Sequence, residues 1–372
     1  MGSLGGQSKL PPILDFSVLR GRRLTTTTTT VAFRSKDAAL RTEFLQELGQ
    51  ACRDKGFFQL TNHGVSAELQ QSIFAAAKEL FDLPLEEKLQ ARLTPSTKGR
   101  GYETIGDQML EPGAAPDTKE AIYLGEDLPA DHPRVLQGEY GCGSNIYPRS
   151  LGPRWHETCM EYFYAMTALA QEVMRALACA LDIPEDYFDR FTESAPTATL
   201  RLVHYPPTPR TVSDNEENNK ARGCGAHRDF GCVTLLLQDQ VGGLQVQDEE
   251  TGEFLAVDPC PGAYVVNLGN LMARWTNHHY TSNTHRVMNF SPADRYSIPF
   301  FFSGNATYTL ETIPGLEQRP PSALTRKFGP VIPPEPYGPV SVTDFLRDQF
   351  VQSYKRASDY RPESPKTVNA TT

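Results

Sequence analysis

Gly225-Ala226-His227-Arg228-Asp229-Phe230-Gly231 is the stretch that decides what kind of fold this chain adopts. Side chains two apart on a strand point to one face, so a strand here aims His227 and Asp229 at the same point. An imidazole and a carboxylate held together suit a divalent transition metal. An isolated H-x-D is common by chance, so the weight lies with its surroundings. H-R-D also opens the catalytic loop of protein kinases. That reading fails: the fifth residue after Asp229 is Thr234 rather than Asn, and no Gly-rich loop or strand lysine precedes it.

Outward from this stretch, the chain after Pro196 is a series of short β-prone runs. They are expected at 200–205, 232–237, 243–246, 263–268, 284–288 and 296–302, separated by Gly, Pro, Asn and Asp clusters as in a sandwich or barrel. The run at 284–288 carries His285, a third ligand. Two histidines and one carboxylate leave several metal positions open, the arrangement of non-haem Fe(II) oxygenases. Ten residues on comes Arg295-Tyr296-Ser297. Strand alternation puts the guanidinium and the hydroxyl on one face, where Arg matches a carboxylate with its planar fork. A metal beside a carboxylate receptor calls for a cosubstrate with a chelating end and a distal carboxylate, and 2-oxoglutarate is such a molecule.

The N-terminal half has a different period. Leu40, Phe44, Leu48 and Cys52 recur every four residues, and an extended run follows at 56–60. A helix is expected after Ser66, with Leu69, Ile73, Ala77, Leu80 and Phe81 on one face. A longer one is expected over 155–181, through Trp155, Tyr162, Met166, Leu169, Val173 and Leu177. Prolines crowd 320–339, and a last helix is expected from Val342 to about Tyr354. Thr25 to Thr30 reads as an exposed loop, and 208–222 as a polar excursion that is either a lid or inert. The division expected is therefore 1–195, helices and strands packing on the core; 196–310, the β-rich core; and 311–372, a Pro-rich segment and helix.

Composition narrows the class. The 372 residues carry 36 basic and 45 acidic side chains, a net charge of −9, with no electrostatic footprint for nucleic acid. No apolar run is long enough to span a membrane, and the polar start of the chain does not resemble a secretory signal. Seven cysteines, none in a C-x-x-C pair, argue against a disulfide framework or a zinc site and for a reducing compartment, expected to be the cytoplasm. Adjacent His278 and His279 point apart and are expected at the surface. His63, in Asn62-His63-Gly64, reads as a turn residue, and Cys224 and Cys232 as packing.

The ordered set Leu200-Arg201-Leu202-Val203-His204-Tyr205-Pro206, His227-x-Asp229, Gly243-Leu244-Gln245-Val246, Pro261-Gly262-Ala263-Tyr264-Val265-Val266-Asn267, His285-Arg286-Val287 and Arg295-x-Ser297 resembles the 2-oxoglutarate/Fe(II)-dependent dioxygenases of the isopenicillin N synthase-like type. Asp15-Phe16-Ser17, Gly56-Phe57-Phe58, Asn62-His63-Gly64, Arg100-Gly101-Tyr102 and Lys119-Glu120 extend the resemblance over about residues 11 to 355. It implies a mostly β core with flanking helices, a double-stranded β-helix or jelly roll with the metal at its mouth. It also implies Fe(II) on His227, Asp229 and His285, and 2-oxoglutarate held by Arg295, Ser297 and Tyr205. Some plant members have Asn where this chain has Val203. Arg228, between the ligands, is expected to point away from the metal. The implied reaction couples decarboxylation of 2-oxoglutarate by O2, giving succinate and CO2, to oxidation of a C–H bond in a small organic molecule, such as one of secondary metabolism. Tyr102, Tyr123, Arg274, Phe302 and Asn305 are expected to line the substrate pocket, with Arg274 suited to a carboxylate or phenolate. Two alternatives share these residues: an oxidase of isopenicillin N synthase type that does not use 2-oxoglutarate, and a non-catalytic ligand-binding member. Oligomeric state is not readable from the residues.

Overall fold

The computed structural model describes residues 10–20, 38–193, 196–207, 222–316, 318, 332 and 337–359. The threonine run and nearly all of the 208–222 excursion lie outside the described residues. Two sheets make the core. Eight strands form the larger: β1 (Ile13–Asp15), β2 (Phe57–Thr61), β3 (Gly101–Glu103), β4 (Glu120–Leu124), β5 (Pro196–Tyr205), β7 (Val233–Gln238), β10 (Tyr264–Leu268) and β12 (Arg295–Asn305), in the order β1-β2-β10-β7-β12-β5-β4-β3. The smaller is β6 (Arg222–His227), β11 (His285–Met288), β8 (Leu244–Gln247) and β9 (Phe254–Ala256), in the order β6-β11-β8-β9. Region 1–195 thus supplies four strands to the sheet that the later region completes.

Helices cover the outer face of the large sheet. The every-fourth spacing from Leu40 becomes α1 (Ala38–Asp54), whose first member, Leu40, is exposed while Phe44, Leu48 and Cys52 are buried. α2 (Ala67–Phe81) starts where Ser66 accepts a hydrogen bond from the Leu69 amide at 3.1 Å, an N-cap. α3 (Gly152–Ala180) runs across the layer, pinned to α2 by Trp155 Nε1 donating to Ala76 O at 2.8 Å. α4 (Val342–Asp359) is the last described helix. No helix among the described residues is long and apolar enough to cross a membrane.

Alternation along β5 and β12 divides the core in two. Leu200, Leu202, Ile298, Phe300 and Phe302 point outward into the helix layer, where Phe300 meets Phe163 of α3 edge-on at 5.4 Å. Val203 and Tyr205 point inward, into a second cluster with Ala121, Tyr123, Leu244, Val246 and Val287. The antiparallel register sets Arg295 opposite Tyr205, Ser297 opposite Val203 and Phe301 opposite Thr199. One inward-facing row therefore runs from Tyr205 and Arg295 at one end to Thr197 and Ser303 at the other.

Candidate metal centre and cavity

His227 ends β6 and His285 begins β11, and the two are register partners with ring centroids 4.3 Å apart. Asp229 lies beyond the end of β6, so strand alternation alone does not place it. Its backbone carbonyl accepts from the Asn270 amide at 2.7 Å, at the start of a short helix, Asn270–Trp275. Thr234 Oγ1 and Asn267 Nδ2 each donate to Asp229 Oδ2 at 2.7 Å. That occupies one carboxylate oxygen and leaves Oδ1 facing the rings, 3.5 Å from His227 Nε2 and 3.8 Å from His285 Nε2.

Each imidazole is oriented through its other nitrogen. His227 Nδ1 donates to Gly225 O at 2.8 Å and His285 Nδ1 to Asn283 O at 3.3 Å, which turns both Nε2 atoms toward Asp229. Burial, then the neighbouring His227, push His285 down to about 4, keeping it neutral. Burial opposes charge on Asp229, but the two imidazoles facing it and the hydrogen bond from Asn267 outweigh it and hold the carboxyl well below the usual carboxylate range. Three ligand atoms within 4.8 Å of one another, two imidazole and one carboxylate, fit a divalent iron with open positions. Arg228 turns away to Thr284 Oγ1 at 3.2 Å and Glu249 at 3.1 Å, as expected.

Arg295 is fully buried. Its Nε donates to Gly242 O and its Nη2 to Gln238 Oε1 at 3.3 Å, while Nη1 is buried with no hydrogen-bond partner. Its guanidinium lies 4.6 Å from the centre of the Tyr205 ring, and Ser297 is buried on the same inward row. A buried cation with no carboxylate among the described residues and an orphaned donor fits the distal carboxylate of 2-oxoglutarate.

A cavity of about 950 Å³ contains His227 and Asp229 in its wall. Of the residues expected there, Tyr123 is present and four are not. Tyr102 alternates outward on β3 and is buried, its hydroxyl donating to Glu120. Phe302 faces the helices; its neighbours Phe301 and Ser303 line the cavity instead. Arg274 lies over the Tyr337 ring at 4.4 Å and donates to Gly338 O. Asn305, at the far end of β12, caps its own turn by accepting from Thr307. The histidine pair also differs from expectation: His278 is half-buried, 2.8 Å from the Tyr337 hydroxyl. His63 is structural, its Nε2 2.7 Å from Gly262 O, and Cys224 and Cys232 are buried packing residues.

Several cavity residues had no separate signal. Arg201, Thr197 and Thr199 share the Tyr205 parity, which could have found them. Arg100 sits in a motif, Arg100-Gly101-Tyr102, in which only the tyrosine drew attention. Phe350 and Tyr354 come from α4, more than a hundred residues away in sequence.

Residues 12–150 match the N-terminal family of the non-haem dioxygenase in morphine synthesis, and 196–304 match the 2OG-Fe(II) oxygenase superfamily. The chain is 42% identical over 362 residues to the 2-oxoglutarate-Fe(II) type oxidoreductase hxnY of Emericella nidulans, across 97% of this chain and 95% of that protein. It is 43% identical over 282 residues to the 2-oxoglutarate-dependent dioxygenase citB of Monascus ruber, across 75% of this chain and 83% of that one. Among solved structures, a full-length Neurospora crassa protein in complex with alpha-KG and thymine superposes with a TM-score of 0.72 at 28% identity, covering 95% of this chain and 98% of that one. Fe(II), 2-oxoglutarate and O2 are accordingly the cofactor and cosubstrates. The two-sheet jelly roll and these likenesses make the chain an oxidoreductase that belongs to the 2-oxoglutarate/Fe(II)-dependent oxygenases.

Proposed function

We propose that His227, Asp229 and His285 hold the iron, that Arg295, Ser297 and Tyr205 receive 2-oxoglutarate, and that a small organic molecule in the adjoining cavity is oxidised at a C–H bond. The observation that carries this is the division of labour at Asp229. Oδ2 is taken by Thr234 and Asn267, while Oδ1 and two oriented Nε2 atoms converge. Bound there, iron and 2-oxoglutarate supply the oxidising power for hydroxylation, desaturation or ring rearrangement, with succinate and CO2 as co-products. The chain's own part is orientation and exclusion of water, with Phe301 and Phe350 as apolar walls of the cavity. A free small molecule is the class of substrate we favour, supported by the thymine bound in the Neurospora neighbour, and we place it in secondary metabolism. Seven cysteines without a disulfide support a cytoplasmic setting.

The test is anaerobic titration with Fe(II) and then 2-oxoglutarate, following the metal-to-ligand charge-transfer band. The wild type should show the band, His227→Ala should lose it together with iron binding, and Arg295→Ala should need more 2-oxoglutarate to reach it. A full band in His227→Ala would refute the iron assignment, and an unchanged 2-oxoglutarate titration in Arg295→Ala would refute the receptor.

A further inference from the structure

Two buried arginines, Arg100 and Arg201, line the cavity, and they differ in how their charge is met. Arg201 donates to Glu103 Oε2 at 2.6 Å and lies 4.2 Å from the centre of the Tyr123 ring. Arg100 is 3% exposed and makes no ion pair with any described residue. Its Nη2 donates to Gly141 O, and its Nε is buried without a partner. Gly125 leaves the room the guanidinium needs, because a Cβ there would collide with it. Thr197, 8% exposed, adds a second unpartnered polar atom, its Oγ1. Gly141 joins the two, since its carbonyl accepts from Arg100 and a Cβ on it would collide with the Thr197 methyl. Arg100, Gly141 and Thr197 all lie on the wall of the cavity that contains His227 and Asp229.

Removing a guanidinium from water without a counter-charge is costly, and a buried donor without an acceptor adds to that cost. Both costs are relieved by an anion with two acceptor oxygens. We propose that the Arg100–Thr197 corner is the substrate's anion receptor, so that the molecule oxidised carries a carboxylate. This rests on the cavity being the substrate site, as proposed above. Arg201 cannot take that role at equal strength, because Glu103 already balances it and would repel a second carboxylate.

The experiment uses the full-length protein with Fe(II) and saturating 2-oxoglutarate under anaerobic conditions. The charge-transfer band is recorded first, in the wild type and in Arg100→Leu and Thr197→Val; its absence from the wild type would count against the preceding reading, not against this one. Binding of benzoate against benzamide, and of acetate against acetamide, is then measured by calorimetry. At least one acid should bind the wild type about tenfold more tightly than its amide, the scale of one charge-assisted hydrogen bond. Arg100→Leu should bring that ratio close to one while keeping the band, and Thr197→Val should lower it by less. The proposal is overturned if neither acid is preferred, including the case in which neither binds. It is equally overturned if the preference survives in an Arg100→Leu protein that keeps its band.

Discussion

Arg201 and Arg295 sit on paired strands, both buried and both on the inward row, yet the protein treats them oppositely. Arg201 is matched by Glu103 and covered by Tyr123, whose hydroxyl is 2.9 Å from that of Tyr354. Tyr354 in turn donates to Glu103 at 2.6 Å, tying α4 to β3. Arg295 meets a backbone carbonyl and a glutamine, with one nitrogen left over. A buried cation that the chain neutralises itself is scaffold, whereas one it leaves unneutralised is kept for a ligand. The same row of residues thus changes from an unneutralised cation at the Tyr205 end, the proposed receptor, to a structural network near Arg201.

The strongest way to break this comparison is Glu103→Ala. Stranding Arg201 should cost about 3–5 kcal/mol of stability in urea unfolding and leave 2-oxoglutarate affinity alone. Unchanged stability with weakened 2-oxoglutarate binding would reverse the roles of the two arginines. Arg295→Ala should do the opposite. It should weaken 2-oxoglutarate by about 1.5–3 kcal/mol, the range for a hydrogen bond to a charged group, with little loss of stability. Asn267→Ala sharpens the picture at the metal. Freeing Asp229 Oδ2 from one of its two donors should lower Fe(II) affinity by about tenfold, read by competition with a chelator.

The smallest effect is one of pH, on the outward face behind the receptor. His204 lies 2.7 Å from both Glu120 and Asp294 and stacks on Tyr296. Burial works against its charge, but the two carboxylates prevail and raise its pKa. The charged His204 then contributes stability in full below the ordinary histidine value of about 6.5. That contribution is lost as the pH rises through the raised folded value. His204→Gln should remove this pH dependence, worth about 1 kcal/mol, from unfolding curves taken between acid and mildly alkaline pH.

The chemistry of the site was legible in the residues to different depths. His227, His285, Arg295 and Ser297 lie in short motifs whose residue types already define a ligand set, and the structure brings the first two together as register partners. For Asp229 the strand argument was incomplete. β6 stops at His227, and it is the Asn270 amide, Thr234 and Asn267 that set the carboxylate in place. The substrate residues fared worst: Tyr102, Arg274, Phe302 and Asn305 lie off the cavity, and Arg100, Thr197 and Phe350 lie on it.

What the sequence by itself determined is which side chains belong together along each strand or helix, because the periods of two and 3.6 follow from local backbone geometry. That was enough for a β core, the helices around it and the proposed ligand set. Which of a strand's two faces looks inward was decided by packing. Phe302 and Phe301 are equally apolar, and only the helices lying against the sheet make one core and the other cavity wall. The charge state of the cavity was likewise decided in three dimensions. Whether an arginine's charge is met within the chain depends on a carboxylate that reaches it from a distant strand, as Glu103 reaches Arg201 and no described carboxylate reaches Arg295 or Arg100.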